Sequence, residues 1–428
     1  MHNNTFAKKK IGDGKMQDFY KVLKNTKKVI LGYSGGLDTS IMVTWLKENG
    51  VKEVVCVAGN YGQIKDPVAL EKKAKLTGAD NFYCLDLTER FLEEYAFLAL
   101  QAQAKYENIY LLGTAIARPL VAKGLVEIAH KEGTDVIVHG CTGKGNDQVR
   151  FELGINNLDP NITVVAPWRF WDFKGRSDEI EYAAKHNIPL QFSADEDYSM
   201  DENIWHLSHE GLDLEDPANA ADLDKILHWV TPPEKAVDQA EIVEIEFKQG
   251  KPIGLNGEKL DPVSLMTSLN EIGGKHGIGI DDIVESRLVG MKSRGVYENP
   301  GASILYFAHQ KLESLTVEAD TLHFKQKISL EFAELIYNGK WETSLRKALS
   351  AFVQETQKFV TGKVKVKLYK GSMQPAGISS PHSLFDEKFA TFEKDDVYDQ
   401  SDATGFIKLF GLSNKMQALL QQEKDIEA

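Results

Sequence analysis

Two glycine-rich stretches hold the residues best suited to chemistry. The first, Ser34-Gly35-Gly36-Leu37-Asp38-Thr39-Ser40, stands between the apolar run KVILGY and the helical pattern TSIMVTWL. A strand, a glycine turn and a helix start make an anion site. Glycine lets the backbone approach a ligand, and first-turn N–H groups carry roughly half a positive charge. Ser34, Thr39 and Ser40 add hydroxyl donors. The second stretch, Gly140-Cys141-Thr142-Gly143-Lys144-Gly145-Asn146-Asp147-Gln148-Val149-Arg150, follows the apolar run DVIVHG. Its glycines expose backbone amides, Lys144 can neutralise phosphate, and Asn146, Asp147 and Arg150 offer the donors and acceptors an amino acid requires. Each stretch also has a plainer reading: a turn with Asp38 or Thr39 capping a helix, and a structural loop.

These stretches need a scaffold that brings them together. From Lys28 to about Leu190, the runs KVILGY, EVVCVA, NFYCLD, DVIVHG and ITVVAP alternate with helical patterns. The helices are expected at TSIMVTWLKENG, Pro67–Leu76, about Glu89–Tyr106, Ala117–Lys131, and from a cap at Ser177 through His186. Such alternation predicts a parallel sheet covered on both faces. The carboxyl ends of its strands line one crevice, so both glycine-rich stretches converge on one ligand. Neither GxxxxGK[ST] nor a GxGxxG after the first strand occurs, and SGGLDTS instead matches the PP-loop pattern.

Past Gln191 the chain turns to acidic, Pro-containing loops (SADEDYSMDEN, LEDPANAADLD, TPPEK). Alternating strands EIVEIEF, DIVESRLVG and KVKVKLY follow, with an amphipathic helix near Glu342–Val360. This region reads as α+β, without a fixed-period repeat. From about Asp386 the apolar residues are too few for a separate core. Leu412, Met416, Leu419 and Leu420 form a stripe on a short helix, capped near Ser413, that must dock.

Composition excludes several classes. With 50 Lys+Arg against 63 Asp+Glu over 428 residues, the net charge is −13, which opposes a phosphate backbone as partner. Apolar residues make up 42% and charged ones 26%, an ordinary globular balance without the ~20-residue apolar run of a membrane span. The opening MHNNTFAKKKIGDGKMQ has no apolar signal region. Cys56, Cys84 and Cys141 form no CxxC pair and suggest neither zinc nor disulfides. A cytoplasmic chain with no nucleic-acid or membrane partner and no metal-binding side chains is expected.

YSGGLDTS, YLLGTAIARP, HGCTGKGNDQVRFE, APWR, SMDEN and GMKSRGVYE, in this order, resemble the argininosuccinate synthase family, from about Lys28 to the C-terminus. The resemblance implies an α/β fold: a parallel-sheet PP-loop domain of the adenine nucleotide alpha hydrolase type, then an α+β synthetase domain and a C-terminal oligomerisation helix. The implied division is 1–27 for an N-terminal extension, 28–190 for ATP binding, 191–385 for the synthetase domain and 386–428 for an arm within a homotetramer. The implied reaction joins L-citrulline to L-aspartate with ATP and Mg²⁺, releasing AMP and pyrophosphate through a citrullyl-adenylate, in arginine biosynthesis.

Carried over motif by motif, Tyr33, Ser34, Gly35, Gly36, Asp38, Thr39, Ser40, Ala58, Gly59, Gly140, Gly143, Lys144 and Gly145 would hold ATP. Thr142, Asn146 and Asp147 would grip aspartate. Tyr110, Arg118, Asn146, Arg150, Ser199, Ser208, Glu285 and Tyr297 would surround citrulline. Arg118 and Arg150 suit its carboxylate and Glu285 its ammonium. Ser199 and Ser208, nine residues apart, converge only if their segment bends, which reads as a loop. No general base or nucleophile stands out. Asp38, Lys144 and Asp147 are the candidates for a catalytic part, through positioning and electrostatics.

Two positions depart from the family pattern. Ala115 stands where relatives commonly have Ser, which removes a citrulline contact that Thr114 can replace, and Ile280 stands where Arg is frequent. Two rival readings share the PP-loop. One is an RNA-thiolating or amidating enzyme, against which stand the absent cysteine pair and basic surface. The other is a nucleotide sensor, which needs only the first domain.

Overall fold

The computed structural model describes residues 13–189, 198–390 and 399–427. Five parallel strands, β1 Lys28–Gly32, β2 Glu53–Asn60, β3 Asn81–Asp86, β4 Val136–Val138 and β5 Thr163–Val165, form a sheet ordered β3-β2-β1-β4-β5. Helices cover both faces, so the inner strands are apolar on both sides: Val29, Ile30, Leu31, Val54 and Val55 are almost wholly buried. The strand order reverses between β1 and β4, which pair Ile30 with Ile137. At such a reversal the connections leave in opposite directions and a crevice opens beyond the carboxyl ends. Both glycine-rich stretches emerge there.

The connecting helices are Leu37–Glu48, Pro67–Leu76, Gly113–Glu132, Asp147–Leu158 and Arg176–Lys185. The helix expected from Ala117 begins at Gly113. Pro119 suggests a nearby start, yet the buried Ala115, Ile116 and Ala117 anchor an extra turn ahead of it. The helix expected through Tyr106 ends at Gln101, after a π-helical turn Phe91–Ala96, and Tyr106 instead bridges Tyr110. Ser177 caps nothing: Gly175 is the N-cap, and Asp178 accepts a hydrogen bond from Lys174 N at 2.7 Å. The extension contributes a helix, Asp13–Asn25, whose Phe19 stacks on Phe170 at 5.0 Å. The Lys8–Lys10 run and the expected boundary between 190 and 191 lie outside the described residues.

The following region builds two antiparallel sheets. Strands β6 Ser199–Asn203, β7 His206–Glu210, β11 Ile280–Ser286 and β12 Lys292–Glu298 are ordered β11-β12-β7-β6. Strands β8 Glu241–Lys248, β9 Lys251–Leu255, β10 Glu258–Lys259, β13 Gly362–Tyr369 and β14 Ser372–Ser379 are ordered β10-β9-β8-β13-β14. The alternation of KVKVKLY sends Val364, Val366 and Leu368 into the core and its lysines outward. Thr343 caps the helix Ser344–Thr356 by accepting from Arg346 N. One apolar cluster runs from Ile30 of the parallel sheet to Leu368, so the two regions share a core.

The chain through His382 forms one compact unit and the chain from Ser383 another. The second unit holds the helices Asp402–Phe410 and Leu412–Glu427. Ser413 lies inside the latter rather than capping it. Among the described residues no helix is long and apolar enough to cross a membrane.

Candidate functional site

The crevice beyond β1 and β4 is a cleft of about 1250 Å³. Tyr33, Ser34, Gly35, Asp38, Thr39, Gly59 and Gly140 line it. Gly35 takes φ +78°, and the side chain of Leu70 occupies the place a Cβ would need, so this position requires glycine on both counts. A Cβ on Gly140 would come within 3.0 Å of the Thr39 methyl, which shows how closely the two loops approach. The N-cap of the helix Leu37–Glu48 is Gly36, which makes no side-chain capping bond, so the capping alternative for Asp38 and Thr39 fails. Inside the turn, Ser34 Oγ lies 3.2 Å from Thr39 Oγ1 and accepts from Gly36 N at 3.3 Å.

Not every residue expected at the nucleotide reaches this cleft. Ser40 is fully buried and braces Tyr33, its Oγ 3.4 Å from the phenol, and Ala58 is buried in β2. Gly36 lies within the turn, while Gly143 and Lys144 point to solvent and line neither this cleft nor the cavity beside it. Gly145 lines the neighbouring cavity instead.

That second cavity, about 280 Å³, gathers every residue expected at the amino-acid substrates: Tyr110, Thr114, Arg118, Thr142, Asn146, Asp147, Arg150, Ser199, Ser208, Glu285 and Tyr297. The extra helical turn from Gly113 supplies Thr114 and Arg118. Ser199 and Ser208 meet through a hairpin rather than a loop, with Asp201 opposite Ser208 and Ser199 opposite Glu210. Ala115 is fully buried and off the cavity, whereas Thr114 lines it. Ile280 starts β11 and packs on the small apolar cluster of Tyr198, Leu214, Ile226 and Val296.

Charge in this cavity is arranged before any ligand arrives. Asp147 accepts from Arg118 Nε at 2.8 Å and from Arg150 Nη1 at 2.9 Å. Burial pushes its carboxyl up, but the two guanidinium groups outweigh burial and hold it below the usual carboxylate range. Arg118 also reaches Asp201 Oδ2 at 2.7 Å and Tyr61 Oη at 3.2 Å. Glu285 is the counterpoint: burial raises its pKa to about 7, Tyr337 and Arg150 pull it partly back, and its Oε2 is buried without a hydrogen-bond partner.

Several residues of the site escaped the sequence reading. Asp201 lies on both cavities and accepts from Thr114 Oγ1 at 2.6 Å. His206 Nε2 lies 3.0 Å from the same hydroxyl, and burial lowers the imidazole to about 4, which favours the neutral ring. Tyr337 stacks on Tyr106 at 3.5 Å and accepts from Asn146 Nδ2 at 2.8 Å, and the Arg150 guanidinium lies over its ring. A strand-period signal for the first two was present, since Ser199 and Asp201, and His206, Ser208 and Glu210, alternate on one face. Tyr337 gave none, because it ends the helix Ala319–Tyr337 and reads as a core aromatic.

Two family descriptions match the chain: "Arginosuccinate synthase N-terminal HUP domain" over residues 28–189 and "Arginosuccinate synthase C-terminal domain" over residues 198–417. The chain belongs to the argininosuccinate synthase family. Among similar curated proteins, the argininosuccinate synthase of Clostridium perfringens is 56% identical over 401 residues, 94% of this chain and 100% of the relative. That of Carboxydothermus hydrogenoformans is 57% identical over 92% of this chain and 98% of the relative. That of Acetivibrio thermocellus is 56% identical over 94% and 99%. The HUP match covers the parallel sheet and the C-terminal match starts just before β6, so each cavity wall has its family counterpart.

Proposed function

We propose that this chain ligates L-citrulline to L-aspartate in arginine biosynthesis, using ATP and releasing AMP and pyrophosphate through a citrullyl-adenylate. The observation that carries the reading is the junction of the two cavities. Arg118, Gly140, Cys141, Asp147, Met200 and Asp201 line both, so an amino acid in the smaller one meets a nucleotide in the larger. Citrulline is a zwitterion with a neutral ureido end. Glu285, with its unpartnered oxygen, suits the ammonium and Arg150 the carboxylate. The ureido end then points to the junction. Its oxygen attacks the α-phosphorus, the bond to the β-phosphate bridging oxygen breaks, and pyrophosphate leaves on the PP-loop. The aspartate amine, held by Thr142, Asn146 and Asp147, attacks the activated carbon and expels AMP. Positioning dominates in this reading, and burial pushes the Cys141 thiol up, which favours its protonated form.

Magnesium belongs to this reading as part of the nucleotide. Among the described residues no group of three or more His, Cys, Asp or Glu could hold a metal ion. Asp38, in the first turn at the cleft, is the carboxylate that would face such a cation, although the sequence alone suggests no metal-binding side chain; bound magnesium would neutralise phosphate charge. A cytoplasmic setting suits three free cysteines.

The deciding experiment follows an isotope. With ¹⁸O in the ureido group, the label is expected in AMP by mass spectrometry; label in pyrophosphate or water would overturn the adenylate. Assembly is a further part of the proposal. Phe406, Ile407, Leu409 and Phe410 of one terminal helix and Leu412, Met416, Leu419 and Leu420 of the next are all exposed. So much apolar surface on two helices calls for a partner, and a homotetramer supplies it. A chain ending after Ala403 is expected to be smaller by light scattering while its PP-loop region stays folded, and an unchanged mass would free the arm of that role.

A further inference from the structure

The sheet β11-β12-β7-β6 turns one face to the smaller cavity, and that face carries a cation with no part in the reading above, Arg287. Register sets Glu285 opposite Ser293, Tyr297 opposite Ser208 and Ser199 opposite Glu210, so strand alternation puts these side chains on the same face. Arg287 follows Glu285 by two residues, about 7 Å along the chain, and lines the cavity with them. Its backbone is fixed on both sides: Arg287 N donates to Met291 O at 2.8 Å, and Leu288 N donates to Asn146 Oδ1 at 2.9 Å. Its guanidinium is held as well, because Nη2 donates to Glu210 Oε2 in an ion pair. Glu210 stands opposite Gly295 of the intervening β12, where no side chain blocks the crossing.

Two buried atoms on this face have no hydrogen-bond partner, Glu285 Oε2 and Arg287 Nε. They belong to groups of opposite sign two residues apart, yet neither satisfies the other. An orphaned buried donor beside an orphaned buried acceptor is the complement of a zwitterion. Arg150 meets a carboxylate with only part of its fork, since its Nε donates to Tyr337 O at 3.0 Å and its Nη1 to Asp147 at 2.9 Å. Burial raises the Glu285 carboxyl to about 7, and Arg150 and Arg287 both pull against that rise, so both cations stand near it. Resting on the ligase reading, we propose that Arg287 is a specificity-determining residue that binds the citrulline α-carboxylate together with Arg150, while Glu285 takes the ammonium. Glu210 keeps the guanidinium in place, and their ion pair persists when substrate binds. The α-amino-acid end is thus read from one strand, with the ureido end directed to the junction of the two cavities.

The test uses the full chain with Arg287→Met, Arg287→Lys and the double variant Arg287→Met with Glu210→Gln, which leaves no carboxylate unpaired. Pyrophosphate release is followed with L-citrulline and with its α-carboxamide, which lacks the carboxylate. Arg287→Met is expected to lower kcat/KM for citrulline by about 10- to 100-fold, chiefly through KM, and to leave KM for aspartate within about twofold. With the carboxamide, wild type and Arg287→Met should agree within about threefold. Arg287→Lys keeps the charge and should recover part of the loss, and the double variant should show the same selectivity as the single one. An unchanged citrulline KM in Arg287→Met, or equal rises in KM for citrulline and aspartate, would overturn the proposal. Equal losses for citrulline and carboxamide would also overturn it and assign Arg287 a structural role. Wild-type chain that releases no pyrophosphate with citrulline, aspartate and ATP would overturn the ligase reading itself, a result distinct from these.

Discussion

The two cavities are built on opposite plans. The larger cleft, proposed for the nucleotide, relies on backbone: glycine turns, a helix start whose N-cap is a glycine, and a lysine resting on a carbonyl. The smaller cavity relies on side-chain charge already paired, with Asp147 between Arg118 and Arg150, and Asp201 between Arg118 and Thr114. The difference fits what each is proposed to hold. Triphosphate is large and its leaving half must depart, so a shallow cradle of fixed dipoles suffices. Two small zwitterions must be held at one carbon in one orientation, and preorganised charge gives that orientation without rearrangement.

The sharpest way to break this contrast is to remove the charge at the centre of the small cavity. Asp147→Ala leaves two buried guanidinium groups without their shared partner, and breaking a buried ion pair costs about 3 to 5 kcal/mol. Turnover should fall by about two to three orders of magnitude, with adenylate still trapped in single turnovers lacking aspartate. By contrast, Lys144→Ala should change ATP use little, because that side chain reaches neither cavity. Equal losses in the two variants would erase the distinction between the sites.

What the sequence revealed follows the same divide. The parallel sheet was legible because each strand is a short apolar run and each helix follows in order; Pro67–Leu76 and Asn81–Asp86 match their expected limits. A motif on a strand end declares its own neighbourhood. The small cavity was hidden because its walls come from four distant elements: Tyr110 and Thr114, the 140–150 loop, the β6–β7 hairpin and β11–β12. The residues expected there come from the family resemblance, which does not extend to Asp201, His206 and Tyr337 beside them. Nothing local marks a side chain whose partner is 191 residues away, as with Asn146 and Tyr337. Lys144 lies outside the lining of both cavities for the converse reason: a loop can bring its backbone to a cavity without aiming every side chain there.

A second, smaller effect sharpens the contrast by titration. Burial pushes the Glu285 carboxyl up to about 7, and in the proposed reading only its ionised form would pair with the citrulline ammonium. The value of kcat/KM for citrulline should therefore fall as pH drops through about 7, where protonation removes the charge. Glu285→Gln should abolish that limb and lower kcat/KM by about ten- to a hundredfold at pH 8, since a charged hydrogen bond is worth about 1.5 to 3 kcal/mol. A pH limb that survives in Glu285→Gln would place the titrating group elsewhere.

The smallest expected effect tests whether the backbone-built cleft also stores charge. Glu179 is buried behind the PP-loop, and burial, then the neighbouring Asp38 carboxylate, push its pKa well above the ordinary 4.5. Asp38 is fixed from its other side by Trp168 Nε1 at 3.1 Å. The protonated form is thus the one that fits, and the sign of the linkage follows. Below the unfolded value near 4.5 the carboxyl is protonated in both states and its contribution is fully present. As pH rises toward the folded value, the unfolded chain releases the proton first, and stability declines by up to about 1.4 kcal/mol per pH unit. Glu179→Gln keeps the shape and the hydrogen-bond donor but cannot ionise. Relative to wild type it should gain a few degrees in Tm between pH 6 and 8 and gain nothing at pH 4, by thermal unfolding at matched ionic strength. A wild-type stability that rises over pH 5 to 7, with Glu179→Gln falling below it, would mean that Glu179 is ionised in the fold and that the cleft carries a second carboxylate facing the nucleotide.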